Sequence, residues 1–341
     1  MDAATKQKLE TLGKLVANTP MSKIKLKYKG EIRYVYAKLE YYSYSGSIKD
    51  RMAFHILKDA YEKGTIKQGY EISEATSGNT GIAFSAQGRF LGHKVKIFMP
   101  DWMSVERINL IKSLGAEIVP VRKNVEKPEE GGFLGSIKFS KEYAQKGNVF
   151  EPLQFENDAN RLAHYTTTGP EIWEQMAKFG VRPDAVVAGV GTGGTIMGAG
   201  GYLKSKNPEC KLYPMEPSNS PTITTGGKKI GSHRIQGISD EFIPAILKLD
   251  QLDEVVSVDD GDSIIAAQML AEKFGMGVGI SSGANLISAI KVQNEYGHKD
   301  VATLFSDDSK KYLSTDYSKA EPVKPGFLST DIELISFEVV K

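Results

Sequence analysis

Cysteine occurs once in the 341-residue sequence, at Cys210. A lone thiol excludes an intramolecular disulfide and a multi-thiolate metal site. An excess of charge is also missing, since 43 basic residues stand against 42 acidic ones for a net charge of +1. That balance lacks the footprint of a nucleic-acid binder or of a protein held on an anionic membrane. No apolar run approaches the length needed to cross a bilayer. The opening segment, MDAATKQKLETLGKLVANTP, carries charge throughout and has no continuous apolar centre. No signal peptide is therefore expected, and a cytoplasmic location is. What is present is ordinary: 40% hydrophobic and 25% charged residues, enough for one large α/β domain or two smaller ones sharing a cleft. The expected partner is a small molecule.

Apolar spacing predicts the helices. Behind Lys49, the residues Ala53, Ile56, Leu57, Ala60 and Tyr61 recur at helical intervals, and Gly64 closes the run. Similar patterns follow Thr80, Ser104, Asn160, Thr195, Asp262 and Ala284. Between them lie short β-rich runs, YVYAKLE, KVKIFMP, AEIVPV, DAVVAGV, KLYPMEP and VATLFSD. This alternation predicts an α/β fold of parallel-rich open sheets with helices on both faces. In such folds ligands bind beyond the carboxyl ends of strands. The glycine and hydroxyl clusters SGSIKD, ATSGNTG, GVGTGGT and GISSGAN fall in those places. The segment KNVEKPEEGGF predicts a surface loop, and the chain from about Ser314 a tail packed on the outside.

Three loops carry the chemistry. In AVVAGVGTGGTIMGAG, Gly189, Gly191 and Gly194 satisfy G-x-G-x-x-G, and Glu216 ends the next predicted strand. Those features suit a dinucleotide. Thr192 and Thr195, however, add hydroxyl donors to a glycine nest at a helix start, which better suits a compact phosphate. In EATSGNTGIAF, the side chains of Thr76, Ser77, Asn79 and Thr80 join the free N–H groups of a helix start. That set fits a carboxylate, although a well-capped helix with nothing bound has the same look. Lys49 stands behind the Gly/Ser bend SGS, where most lysines are solvated charge. Asp50 and Arg51 follow it, and Ser47 precedes Asp50 by three, as in a capping box. On a helix, the acid and the arginine cannot point where Lys49 points, so they are expected to anchor the turn elsewhere. A lysine fixed in a glycine-lined site, with a phosphate nest in the same chain, points to a Schiff base with a phosphorylated aldehyde cofactor.

With SGSIKDRMA, TSGNTGIAF, PLQFEN, GVGTGGT, HRIQGI and GISSGAN in this order and spacing, the chain resembles the cysteine synthase family over roughly residues 10–315. These are pyridoxal-phosphate enzymes of fold type II, a group that includes cystathionine β-synthase. The resemblance implies a homodimer and two α/β domains with the active site between them. Residues 1–53 with 159–341 would form the larger, cofactor-binding domain, and residues 54–158 a smaller, mobile one. It implies that Lys49 holds pyridoxal 5'-phosphate and moves the Cα proton, and that Asn79 meets the phenolic oxygen. Gly191, Thr192, Gly193, Gly194 and Thr195 would cradle the phosphate, and Thr76, Ser77, Thr80 and Gln154 the substrate carboxylate. Ser281 would meet the pyridine nitrogen. A serine there does not stabilise a protonated ring as an aspartate does, which favours prompt loss of a β-substituent. The implied activity is β-replacement through an aminoacrylate, O-acetyl-L-serine and sulfide giving L-cysteine. O-phosphoserine, serine and cysteine stay open as substrates.

One departure stands out. Family members carry small or apolar residues after HRIQGI, where this chain has Ser239, Asp240, Glu241 and Phe242. The resemblance brings this loop, from Gly237 onward, close to the reacting carbons. Asp240 is then a second candidate catalytic residue, opposing hydrosulfide and serving as a base for water. At an effective dielectric near 20, two like charges about 4 Å apart repel by roughly 4 kcal/mol. Run that way, the enzyme would release sulfide from L-cysteine and form L-serine. The plain alternative turns Asp240 outward or makes it a helix cap near DEFIPAIL. A dehydrogenase reading uses only GVGTGG, and a non-catalytic binding protein would not need both Lys49 and the phosphate loop. DDGDS lacks the spacing of a calcium loop and His233 has no second ligand nearby in sequence, so no metal is expected.

Overall fold

The computed structural model describes residues 1–341 apart from Ser77 and Val125, with only the backbone of Pro128. Ser77, an expected carboxylate ligand, thus lies outside the described residues. Among the described residues, eleven strands form two sheets. In the larger, β1 (Met21–Tyr28) and β2 (Glu31–Leu39) pair antiparallel, while β7 (Ala185–Gly189), β8 (Lys211–Pro217), β9 (Val256–Val258) and β10 (Val301–Phe305) run parallel. The strand order is β11-β1-β2-β10-β7-β8-β9, with β11 (Ile332–Val340) antiparallel to β1. The smaller sheet, order β5-β4-β3-β6, contains β3 (Glu71–Ala75), β4 (Lys94–Pro100), β5 (Glu117–Val121) and β6 (Val149–Phe150), all parallel. Every residue of β10 is buried and β7 is buried up to its last residue, as expected of strands covered on both faces.

The helices are α1 (Ala3–Leu15), α2 (Lys49–Lys63), α3 (Asn79–Leu91), α4 (Val105–Ser113), α5 (Gly132–Ala144), α6 (Asp158–Ala163), α7 (Gly169–Lys178), α8 (Gly194–Lys206), α9 (Asp260–Phe274) and α10 (Ile280–Tyr296). The segment expected as one helix from Asn160 is α6 and α7 joined by a π-helical turn at His164–Thr168. One core holds α9 and α10 on the larger sheet, a second lies on that sheet's other face around α7 and α8, and a third serves the smaller sheet. Leu9 and Leu12 of α1, with Met52, Ile56 and Leu57 of α2, belong to the third core. Lys49 heads a helix whose body packs with the smaller sheet, but Ile48 just before it packs in the second core and bonds the end of β10 (Ile48 N–H to Ser306 O, 2.9 Å). That places Lys49 at the junction of the two sheets.

The stretch from Ser314 lies on the outside of the larger sheet, where β11 forms its edge strand and Ile332 and Leu334 turn into the core. One expectation is corrected. The segment expected as a loop at 123–133 ends inside α5, and its Phe133 is buried.

Candidate active site

Lys49 is held by what surrounds it rather than by its own contacts. Gly46 takes the left-handed conformation (φ +83°) that the bend requires, and the Lys49 N–H reaches Ser47 Oγ at 3.3 Å. The expected capping box is not formed, since the Asp50 carboxylate bends back to Ser45, accepting from its N–H at 2.7 Å and its hydroxyl at 2.6 Å. Arg51 points into the protein. Its guanidinium donates to Glu40 at 2.7 and 2.8 Å and to both carboxylate oxygens of Glu171 at 2.8 Å. Lys38 completes the block at 2.7 Å from Glu171. Burial raises the Glu171 pKa, but hydrogen bonds from Arg51 and the charges of Arg51 and Lys38 outweigh it and hold the carboxyl down to about 2. The acid and the arginine thus anchor the turn away from the cleft, as helix geometry predicts.

The phosphate-type loop lies at the carboxyl end of β7. Gly193 has φ +82° and precedes α8. A Cβ on Gly191 would fall 2.6 Å from the Gly237 carbonyl, and one on Gly194 2.1 Å from Asn160 Oδ1. Only glycine fits at either position. Asn160 joins two loops, donating to Thr192 Oγ1 at 2.9 Å and to the Gln154 carbonyl at 2.8 Å. The wholly buried His164 lies 3.4 Å from Thr195 Oγ1, and burial holds its pKa well below the usual value. Thr192 and Thr195 line one cavity with Lys49, Asn79, Gly191, Gly193, Gly237 and Ser281. Gly194 stands just behind its wall as the first residue of α8.

A second cavity adjoins the first and shares Lys49, Asn79, Gly191, Thr192 and Gly237 with it. Thr76, Thr80, Gln154 and Asp240 complete its polar lining, and Phe133 and Phe155 its apolar side. Thr80 Oγ1 donates to Gln154 Oε1 at 2.7 Å, and Gln154 Nε2 to the Ala75 carbonyl at 2.8 Å. Beneath them, burial pushes the Glu74 carboxyl up to about 8, although it accepts from the Ala75 and Gln154 N–H groups.

Asp240 faces this cavity. Residues 240–247 form no helix that it might cap. Ser239 adopts a left-handed φ of +53°, held by its N–H to Val190 O at 2.8 Å and its hydroxyl to Ser220 O at 3.0 Å. A non-glycine residue in that region is uncommon. Burial raises the Asp240 carboxyl to about 6, with Lys49 pulling the other way. Burial in turn lowers Lys49, opposed by Asp240 and Asp307. The two catalytic candidates are electrostatic partners.

Residues missed in the sequence line the site as well. Phe133 and Phe155 pack edge to face at 5.7 Å, and Phe242 joins Phe155 at 4.9 Å, forming an apolar wall beside Asp240. Asp307 takes a hydrogen bond from Asn79 at 2.9 Å. No periodicity marks these positions; they meet only when distant segments pack. Glu216, which a dinucleotide would need, is spent internally on the N–H groups of Ile223 and Thr224.

A family model for pyridoxal-phosphate dependent enzymes matches residues 12–307. The chain belongs to that family. It is 40% identical over 304 residues to a probable cysteine synthase of Bacillus subtilis, covering 89% of this chain and 95% of the relative. It is 54% identical to a hydrogen sulfide-producing enzyme from Fusobacterium nucleatum, whose crystal structure superposes with a TM-score of 0.93 over 98% of this chain and 99% of that one. A variant of that enzyme with one aspartate changed to asparagine, in complex with an α-aminoacrylate intermediate, matches equally well. The protein is therefore a pyridoxal-phosphate enzyme, and the dehydrogenase reading falls.

The residues fit the cofactor. A cradle that admits no Cβ heads a helix whose first N–H groups lack intrahelical partners, which suits a phosphate dianion. Lys49, with its amine pKa lowered, stands in the same cavity.

Proposed function

We propose that this enzyme releases hydrogen sulfide from L-cysteine and adds water in its place, giving L-serine, with Asp240 activating the water. The reaction class is β-replacement or β-elimination at an amino-acid Cβ, within cysteine and sulfide metabolism. One observation carries the finer assignment: a carboxylate, Asp240, lines the substrate cavity with Lys49.

Bound there, pyridoxal phosphate supplies the carbonyl that Lys49 engages and an electron sink for the bond broken at Cα. Gly191, Thr192, Gly193, Gly194 and Thr195 would hold its phosphate, Asn79 its phenolic oxygen and Ser281 its ring nitrogen. Thr76, Thr80 and Gln154, with the first turn of α3 and with Ser77 (outside the described residues), would hold the substrate carboxylate. Lys49, its pKa lowered by burial, takes the Cα proton. The Cβ–S bond breaks and sulfur leaves as hydrosulfide. A Cβ–O bond then forms to water, whose proton passes to Asp240 and from there to the departing hydrosulfide, and Lys49 returns its proton to Cα. The sum is L-cysteine and water to L-serine and hydrogen sulfide. Phe133 and Phe155 keep bulk water from the rest of the cavity. An ionised Asp240 also opposes return of hydrosulfide, itself an anion.

The domain division drawn from the sequence belongs to the same proposal. Residues 1–53 with 159–341 carry the larger sheet, and 54–158 form a mobile unit around the smaller one that closes on substrate. Sequence resemblance supports a homodimer and a cytoplasmic location, to be checked by sedimentation and by fractionation. No helix among the described residues is long and apolar enough to cross a membrane.

Product analysis tests the activity. Incubated with L-cysteine alone, the purified holoenzyme is expected to yield equal amounts of serine and sulfide. If cysteine is inert while O-acetyl-L-serine and sulfide form cysteine rapidly, the protein is a synthase and the proposal fails.

A further inference from the structure

Asp307 follows β10, is wholly buried, and gathers side chains from both sheets. Its Oδ2 accepts from Asn79 Nδ2 at 2.9 Å and from the Tyr312 hydroxyl at 2.9 Å. Arg107 of α4 supplies the counter-charge, with Nη2 at 3.9 Å from the same oxygen and its guanidinium 4.5 Å above the Tyr312 ring. Arg107 also bonds Gln236, which adjoins Gly237 in the cavity wall. Asn79 and Arg107 come from the side of the smaller sheet, whereas Asp307, Tyr312 and Gln236 come from the larger.

A carboxylate accepts hydrogen bonds and donates none, whereas a primary amide has one face of each kind. The contact with Asp307 therefore dictates which way the Asn79 amide lies. Nδ2 must face Asp307, and its second N–H remains for whatever occupies the cavity. Among the described residues, Asn79 Oδ1 is buried and meets no hydrogen-bond donor. Turned over, Asn79 would set its carbonyl oxygen against the Asp307 carboxylate, an arrangement with no proton to share.

We infer that Asp307 is a positioning residue that locks the Asn79 amide so that it presents a donor to the phenolic oxygen of bound pyridoxal phosphate. This rests on the assignment of Asn79 to that oxygen made above. Asp307 touches no reacting atom; it orients Asn79 by contact, while its charge also opposes the burial that lowers the Lys49 amine pKa. Its carboxylate is held in turn by Arg107, so the orientation of Asn79 depends on α4 lying against the 307–312 segment.

The test is a cofactor titration of protein stripped of pyridoxal phosphate, followed by the visible absorbance of the bound cofactor, with thermal unfolding in parallel. In Asp307→Asn the new side chain can itself donate, so Asn79 is free to turn. The absorbance band is expected to shift and the dissociation constant to rise about tenfold, as for loss of one hydrogen bond. Asp307→Ala, which removes the acceptor without offering a donor, carries the same expectation. Tyr312→Phe keeps the carboxylate and its bond to Asn79, and is expected to keep the band and to change affinity less than about threefold. If both Asp307 variants lower the melting temperature yet keep the wild-type band and affinity, Asp307 is merely structural and the inference is overturned. Asn79→Ala separates the two layers. A shifted band there with unshifted Asp307 variants sinks only the role of Asp307, whereas an unchanged band sinks the assignment of Asn79 as well.

Discussion

Lys49 lies between two groups of charges that the protein treats in opposite ways. Behind it, Arg51, Glu40, Glu171 and Lys38 form a closed block in which each charge has partners at 2.7–2.8 Å. In front of it, burial raises Asp240 to about 6, yet among the described residues no hydrogen bond reaches its carboxylate; Lys49 is its main electrostatic partner. The closed block costs desolvation and recovers it locally, so its work is to fix the start of α2. The open carboxylate recovers nothing until something enters the cavity. Chemistry is expected where partners are incomplete and stability where they are complete.

Substitutions on the two sides should separate those roles, and the largest effect belongs to the residue between them. Lys49→Ala is expected to lose the visible absorbance of bound cofactor and to lower turnover by at least about 10²–10⁴-fold, the usual worth of a positioned base. An unchanged spectrum would move the attachment point to another lysine. On the closed side, Arg51→Ala leaves the buried Glu40 without its cation and the partly buried Glu171 with Lys38 alone, and should cost about 3–5 kcal/mol, read by chemical denaturation. Retention of wild-type stability would mean that the block holds nothing. On the open side, Asp240→Asn should leave stability within about 1 kcal/mol while serine formation falls about 10²-fold or more.

Acidity distinguishes the sides further. With Asp240 raised to about 6, serine formation should rise as pH passes upward through that value, because the base must be ionised. Glu171 behaves oppositely in kind. Its folded pKa is depressed to about 2, so the stability it contributes is present above the usual carboxylate range and is lost as pH falls toward 2. Glu74, raised to about 8, contributes stability that is lost as pH rises through about 8, and Glu74→Gln should flatten that slope in melting temperature. A melting curve insensitive to pH in both windows would contradict this division.

The glycine loops were legible because their chemistry is local. Gly191, Gly193 and Thr195 stand within one short stretch of chain, so their motif can be read there, although Gly237 and Asn160 close in on the loop from elsewhere. Asp240 was legible as a departure from an expected pattern, although its direction waited on the left-handed Ser239 before it. Asp307, Arg107, Phe133 and Phe155 were not legible, because each acquires meaning from segments far away in sequence. The same holds for the fold. Strands β7 and β10 announce themselves as short apolar runs, whereas β11, with Ile332 and Leu334 turned inward among mostly exposed residues, is defined by its pairing with β1. Residues 123–133 carry loop composition, yet Phe133 is drawn into a helix by its contacts with Phe155 and Phe242.

The most direct measurement is single-turnover product analysis of wild type and Asp240→Asn with L-cysteine in water enriched in heavy oxygen. The wild type is predicted to release sulfide and to form serine carrying the label in its hydroxyl group. Asp240→Asn is predicted to release sulfide once per active site while forming almost no serine. Labelled serine appearing at the wild-type rate in the variant would contradict the account, since water would then be activated without Asp240.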